Sequence, residues 1–114
     1  MAYLKSYTGN ILLRIENNNI KDYGGMIKYQ IRDNKITDFY GKVLFVIDGN
    51  YIKDFYGRTL LFITTNQVKD FYGKVLASFD SMYIKDFYGS IKYRIDGFLS
   101  RKEMMANLAI IYTV

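Results

Sequence analysis

The chain has 114 residues, half of them apolar, with 12 tyrosines, 8 phenylalanines and a formal net charge of +5. That length suits one domain of ordinary size, and the aromatic load favours pleated surfaces. Histidine, cysteine and proline are all absent, which removes the commonest general base and metal ligand, the thiol nucleophile, any disulfide framework and any loss of a strand N–H to proline.

In chain order, one phrase recurs. It reads Ile36-Thr37-Asp38-Phe39-Tyr40-Gly41, then Ile52-Lys53-Asp54-Phe55-Tyr56-Gly57, then Val68-Lys69-Asp70-Phe71-Tyr72-Gly73, then Ile84-Lys85-Asp86-Phe87-Tyr88-Gly89. Weaker copies run from Leu4 to Gly9 and from Ile20 to Gly25. The glycines at 9, 25, 41, 57, 73 and 89 keep a period of 16 without insertion. Self-similarity of this kind dictates architecture first. With Leu4 or its equivalent as position 1, six repeats span 4–19, 20–35, 36–51, 52–67, 68–83 and 84–99, making residues 1–99 one array. Each repeat has two turn signals. In Asp-Phe-Tyr-Gly, Asp opens a tight turn by accepting backbone N–H groups, and Gly tolerates the positive φ that closes it. The second signal is an Asn- or Asp-rich pair such as Asn17-Asn18 or Asp48-Gly49, a short-range hairpin mark.

Two short strands lie between the turns, typified by Lys42–Ile47 and Tyr51–Lys53. Side chains alternate faces along a strand, so positions 8, 10 and 12 share a face. If Asp-Phe-Tyr-Gly forms the whole loop, position 1 joins them. Of those 24 positions only Thr59 is neither aliphatic nor aromatic. The opposite face is basic at both ends of the array, with Lys5, Arg14, Lys21, Lys28, Lys85, Lys92 and Arg94, and carries an apolar island of Leu44, Val46, Leu60, Phe62 and Leu76 in its middle.

These features predict an all-β fold: an antiparallel meander of six β-hairpin repeats in a single layer, open or curled. The alternative is a β-solenoid with one coil per repeat. Stacked coils would place the five lysines of position 2 about 4.8 Å apart, where like charges destabilise; a meander separates them by about 10 Å, near one Debye length. Residues 100–114 break the pattern. Ser100-Arg101-Lys102-Glu103 is a capping box and Leu99 with Met104 suits a hydrophobic staple. A helix is expected over about 101–112, as a cap for the array. Such a helix, about 18 Å long, covers about four strands, so the rest of the apolar face calls for curling, for a second copy or for a partner.

No serine lies in a Gly-x-Ser-x-Gly elbow and no Gly-rich phosphate loop is present. Asp22, Asp38, Asp54, Asp70 and Asp86 form a column that could in principle serve sugar chemistry or calcium. Their fivefold recurrence at a turn position assigns them to the turns. No catalytic residue, metal site or cofactor is expected. The N-terminus lacks the apolar core of a signal peptide and no run is long enough to span a membrane, so a cytoplasmic location is expected.

In architecture the Tyr- and Gly-bearing hairpins resemble MORN-type repeats, whose period is longer and whose glycine pattern is denser. That resemblance implies scaffolding or surface association and carries no residue over. The expected function is a non-enzymatic interaction or scaffold module that self-associates, as a homodimer, or binds a protein partner. Its candidate interface is Leu44, Val46, Leu60, Phe62 and Leu76. The alternative is binding of nucleic acid or an anionic membrane surface through the row of Lys53, Tyr56, Lys69, Tyr72, Lys85 and Tyr88.

Overall fold

A computed structural model describes residues 1–113; Val114, the end of the expected 100–114 segment, lies outside the described residues. Twelve strands run in order: β1 (Ala2–Ser6), β2 (Ile11–Glu16), β3 (Asn19–Asp22), β4 (Ile27–Arg32), β5 (Lys35–Asp38), β6 (Val43–Asp48), β7 (Tyr51–Lys53), β8 (Thr59–Ile63), β9 (Gln67–Asp70), β10 (Val75–Phe79), β11 (Tyr83–Asp86) and β12 (Ile91–Asp96). One helix among the described residues, α1 (Arg101–Thr113), follows. Each strand pairs antiparallel with its chain neighbours, and β1 pairs with β12, so the meander closes into a barrel. The hairpin meander is therefore the architecture, and the solenoid is not.

The Asp-Phe-Tyr-Gly turn is a three-residue hairpin loop. The N–H of Gly41 donates to the Asp38 carbonyl (3.1 Å) and the N–H of Asp38 donates to the Lys42 carbonyl (2.9 Å). Gly41 has φ +87°, the left-handed conformation such loops require of their third residue. At the opposite end, Glu16 and Asn19 close a two-residue loop in which Asn17 and Asn18 both have positive φ, the type I′ pattern that matches strand twist.

Register departs from simple alternation. Beyond each Asp-bearing turn, position 2 faces position 8, the register then slips by one residue, and position 1 faces position 10: Lys53 opposes Thr59, and Ile52 opposes Leu61. The same slip appears in the other five hairpins, Leu4 facing Leu13 for example. The inward face is therefore positions 1, 10 and 12, not the four positions that alternation implies. Position 8 turns outward with the lysines, and Thr59, the one exception in the expected face, leaves the core with it. All 18 inward positions are apolar or aromatic; Ile20, Ile36, Ile52, Ile63, Val68 and Ile84 have no exposed surface.

The helix is not a lid over one end of the array. Met104, Met105, Ala106, Asn107, Leu108 and Ala109 are all buried, six consecutive residues that sweep more than a full turn and leave no free face. They belong to the same core as the inward residues of the strands. The helix fills the barrel lumen. Twelve strands at about 4.8 Å enclose a circumference of about 58 Å, hence a bore of about 18 Å even before strand tilt widens it. Wall side chains alone cannot fill that bore; a helix about 10 Å across can. Its 13 residues give a rod about 20 Å long, equal to the shortest dimension of the 36 × 33 × 20 Å molecule.

Closure and the central helix together cover the apolar face that composition left uncovered. The capping box is formed in both directions, with the Glu103 N–H donating to Ser100 Oγ (3.1 Å) and the Ser100 N–H to Glu103 Oε1 (3.0 Å). Arg101 Nη2 donates to the Ile63 carbonyl (3.0 Å), seating the helix start at the second-turn end. Among the described residues no helix is long and apolar enough to cross a membrane.

Candidate functional site, an aromatic rim

An up-and-down barrel sends alternate loops to opposite ends, so all six Gly-closed turns share one rim. Each Asp holds its loop through one carboxylate oxygen. Asp38 Oδ1 accepts the N–H groups of Tyr40 and Lys42, both at 2.9 Å, and Asp54, Asp70 and Asp86 repeat the pattern. In Asp22 the bond from Met26 is retained. In the loop held this way, the two aromatic side chains stand largely exposed. Each Phe meets its Tyr edge to face, with ring centroids 5.3–5.5 Å apart. The four phenylalanines are 59–66% exposed and Tyr40, Tyr56, Tyr72 and Tyr88 are 82–92% exposed. Tyr7 and Tyr23, in the two weaker repeats, are exposed as well and continue the ring.

The rim is grooved. Met26, Ile27 and Lys28 of the second repeat face Asp38, Phe39 and Tyr40 of the third across a depression of about 360 Å³. The equivalent residues recur at Lys74, Val75 and Leu76 with Asp86, Phe87 and Tyr88, about 340 Å³, and at Arg58, Thr59 and Leu60 with Phe71, about 490 Å³. Each groove lies between positions 7–9 of one hairpin and the aromatic turn of the next.

Charge at this rim is balanced. Positions 3–9 of the six repeats hold five carboxylates and five cations, and positions 10–16 together with the helix hold six of each. The net +5 is thus that of Lys5, Lys21, Lys53, Lys69 and Lys85, all at position 2 on the outer wall. Asp54 shows how the rim is neutralised. Arg58 Nε donates to its Oδ2 at 2.7 Å. Its carboxyl is held below the usual range first by the backbone N–H of Arg58, with desolvation opposing, and then by the Arg58 guanidinium and the Tyr56 N–H.

The row read from the sequence is therefore divided between two levels. Tyr56, Tyr72 and Tyr88 stand on the rim, whereas Lys53, Lys69 and Lys85 lie half-buried on the wall. Lys53 reaches away from Tyr56, to Asp48 Oδ2 at 2.7 Å and over the Tyr51 ring at 5.9 Å. The cation over Tyr56 is Arg58, 6.0 Å from the ring centroid. Lys42, Arg58 and Lys74 of position 7, read from the sequence only as cations flanking the apolar island, are the ones placed next to the aromatic turns. The apolar island divides too. Leu44, Leu60 and Leu76 are the residues at which the register slips, and they pack against the core. Val46 and Phe62 lie on the outer wall, where Phe62 stacks on Tyr51 with centroids 5.0 Å apart.

Among the described residues no three His, Cys, Asp or Glu side chains gather in a metal-binding arrangement. Comparison with protein-family models, with curated proteins and with solved structures gives no match to this chain.

Proposed function

We propose that the chain is a non-enzymatic interaction module that associates with a second copy of itself through the aromatic rim. The supporting observation is the exposure of eight rings on four successive turns. At about 200 Å² per aromatic side chain, those residues leave roughly 1,200 Å² open over four neighbouring turns, a concentration of exposed rings of the kind that marks interaction surfaces. A contact using half of it on each copy would bury about 1,200 Å², the lower range of specific interfaces. Rim neutrality supports the same reading, because two copies meet there without net repulsion. Protruding rings alternating with grooves give a surface able to complement itself, as a two-fold interface must.

Sedimentation equilibrium tests this. The wild type shows a reversible rise above the 13.4 kDa monomer mass with concentration, and the variant with Tyr40, Tyr56, Tyr72 and Tyr88 all changed to Ser stays monomeric. A wild type that remains monomeric throughout, or a variant that associates equally well, overturns the proposal.

A further inference from the structure

Closure changes the charge pattern of the outer wall. The two basic ends of the linear array become neighbours. Lys5 of β1 comes to stand directly opposite Arg94 of β12, and Arg14 of β2 stands directly opposite Lys21 of β3. The adjoining pairs, Leu4 with Ile95 and Ile15 with Ile20, are buried inward, so all four cations point outward. They lie on four consecutive strands, about 14 Å across at 4.8 Å per strand, in a diagonal stripe whose two pairs are displaced by two residues along β1, because Arg14 faces Tyr3 and not Lys5. Like charges directly opposed on neighbouring strands are destabilising, and this wall carries two such pairs. Lys5 is met by Asp96 at 3.0 Å. Arg14, Lys21 and Arg94 form no ion pair among the described residues. The Arg14 Nε is shielded from water and has no acceptor among the described residues, a cost to stability. Tyr3 lies opposite Arg14 and Tyr83 opposite Arg94. A depression of about 230 Å³ is lined by Lys5, Tyr83, Arg94 and Asp96. On the far wall the corresponding lysines oppose Val46 and Phe62 instead.

We propose that this stripe binds single-stranded nucleic acid, with phosphates on Lys5, Arg14, Lys21 and Arg94 and bases against Tyr3 and Tyr83. Cations tracking a line with aromatic rings set among them match a phosphate backbone and its bases. A flat lipid surface would meet this convex wall along a narrow line only, and both tyrosines lie half-buried among the cations instead of projecting to insert. The site lies on the outer wall, reaching the rim only at Gly9 of the first turn, away from the four Phe-Tyr turns, and does not depend on association there.

Fluorescence anisotropy with short labelled oligo-uridine and oligo-thymidine tests it. Affinity falls between about 50 and 200 mM salt with a log–log slope near −3, about −0.7 for each of four phosphate contacts. Arg14→Gln combined with Lys21→Gln weakens binding about tenfold and roughly halves that slope. The same pair leaves the melting temperature unchanged or raised, because it removes an opposed like-charge pair. Asp96→Asn tightens binding. Lys53→Gln with Lys69→Gln on the far wall, and the four Tyr→Ser changes of the rim, alter it less than about twofold. Salt-independent or undetectable binding overturns the proposal. So does an equal loss in the far-wall variant, or binding to phosphatidylserine vesicles without binding to either oligonucleotide.

Discussion

At the scale of single residues, Asp and Gly of the recurring turn do most of the shaping. One carboxylate oxygen of Asp70 satisfies two backbone N–H groups, those of Tyr72 and Lys74. Asp70→Ala strips both of their acceptor and is expected to cost about 1–2 kcal/mol. Asp70→Asn keeps one acceptor oxygen and costs less; thermal melts of the two variants check the order. This part was legible in the sequence because the turn is local and its chemistry depends on residue type. A second residue-scale effect was not. Burial, with Tyr93 and Asp86 nearby, pushes the Tyr112 phenol up to about 12. Its folded pKa thus exceeds the unfolded value near 10. The associated stability is fully present below pH 10 and is lost as pH rises towards 12. Tyr112→Phe should therefore flatten the fall in melting temperature between pH 10 and 12 relative to wild type. Nothing in the sequence around Tyr112 announces Asp86 or Tyr93, since only barrel closure and the path of the helix bring them close.

At the scale of elements, two expectations moved, for different reasons. Alternation has a period of two and says nothing about where a strand slips by a residue. The pairing of Ile52 with Leu61 instead of Thr59 could not be read from a pattern that looks equally apolar at positions 8 and 10. Thr59 itself was the available hint, since one polar residue in an otherwise unbroken face argues that the face is drawn wrongly. The helix was placed correctly in the chain, including its capping box, and on the apolar face, yet read as a cap over about four strands instead of a rod enclosed by all twelve. Its signal was present: Met104, Met105, Ala106, Leu108, Ala109, Ile110 and Ile111 surround the axis, and a helix apolar all round is a buried one. Lumen packing makes specific demands. Leu108, with no exposed surface, should cost about 2–5 kcal/mol when changed to Ala. Ala106 is equally buried, and Ala106→Leu should cost about 1–3 kcal/mol by overpacking against the wall. Chemical denaturation of both variants measures these losses, and a lid lying on one end would show neither cost at Ala106.

At the scale of the whole molecule, the fold separates its surfaces by chemistry. The interior takes the apolar positions, one rim takes the aromatic turns, and the wall takes the unbalanced charge. The rim and the basic stripe lie on different surfaces, so sedimentation of the Tyr→Ser variant and oligonucleotide binding by the Arg14→Gln, Lys21→Gln variant report independently. A protein in which both variants lose both properties would have only one surface at work. The linear chain shows basic residues at its two ends and an apolar middle, but not that the ends meet. That fact belongs to closure, and closure depends on strand tilt and on the volume of the helix, neither of which is written in any one repeat.

The seam between β1 and β12 joins the two ends of the array. Lys5 with Arg94 and Leu4 with Ile95 repeat the alignment of Lys21 with Arg14 and Ile20 with Ile15 inside the chain. The joint made by the two ends is thus the same joint as every other. The ring has no intrinsic first repeat, and any rotation of the six hairpins by one place yields the same set of backbone pairings. Such a ring faces a degeneracy during folding, because a hairpin can be accepted by the neighbour of its neighbour at no cost in backbone bonds. Backbone pairing does not distinguish one place on the ring from the next; the side chains of the individual repeats and the helix threaded through the middle do. With a girth of about 10 Å and the inward side chains around it, the helix fills the bore that six hairpins enclose.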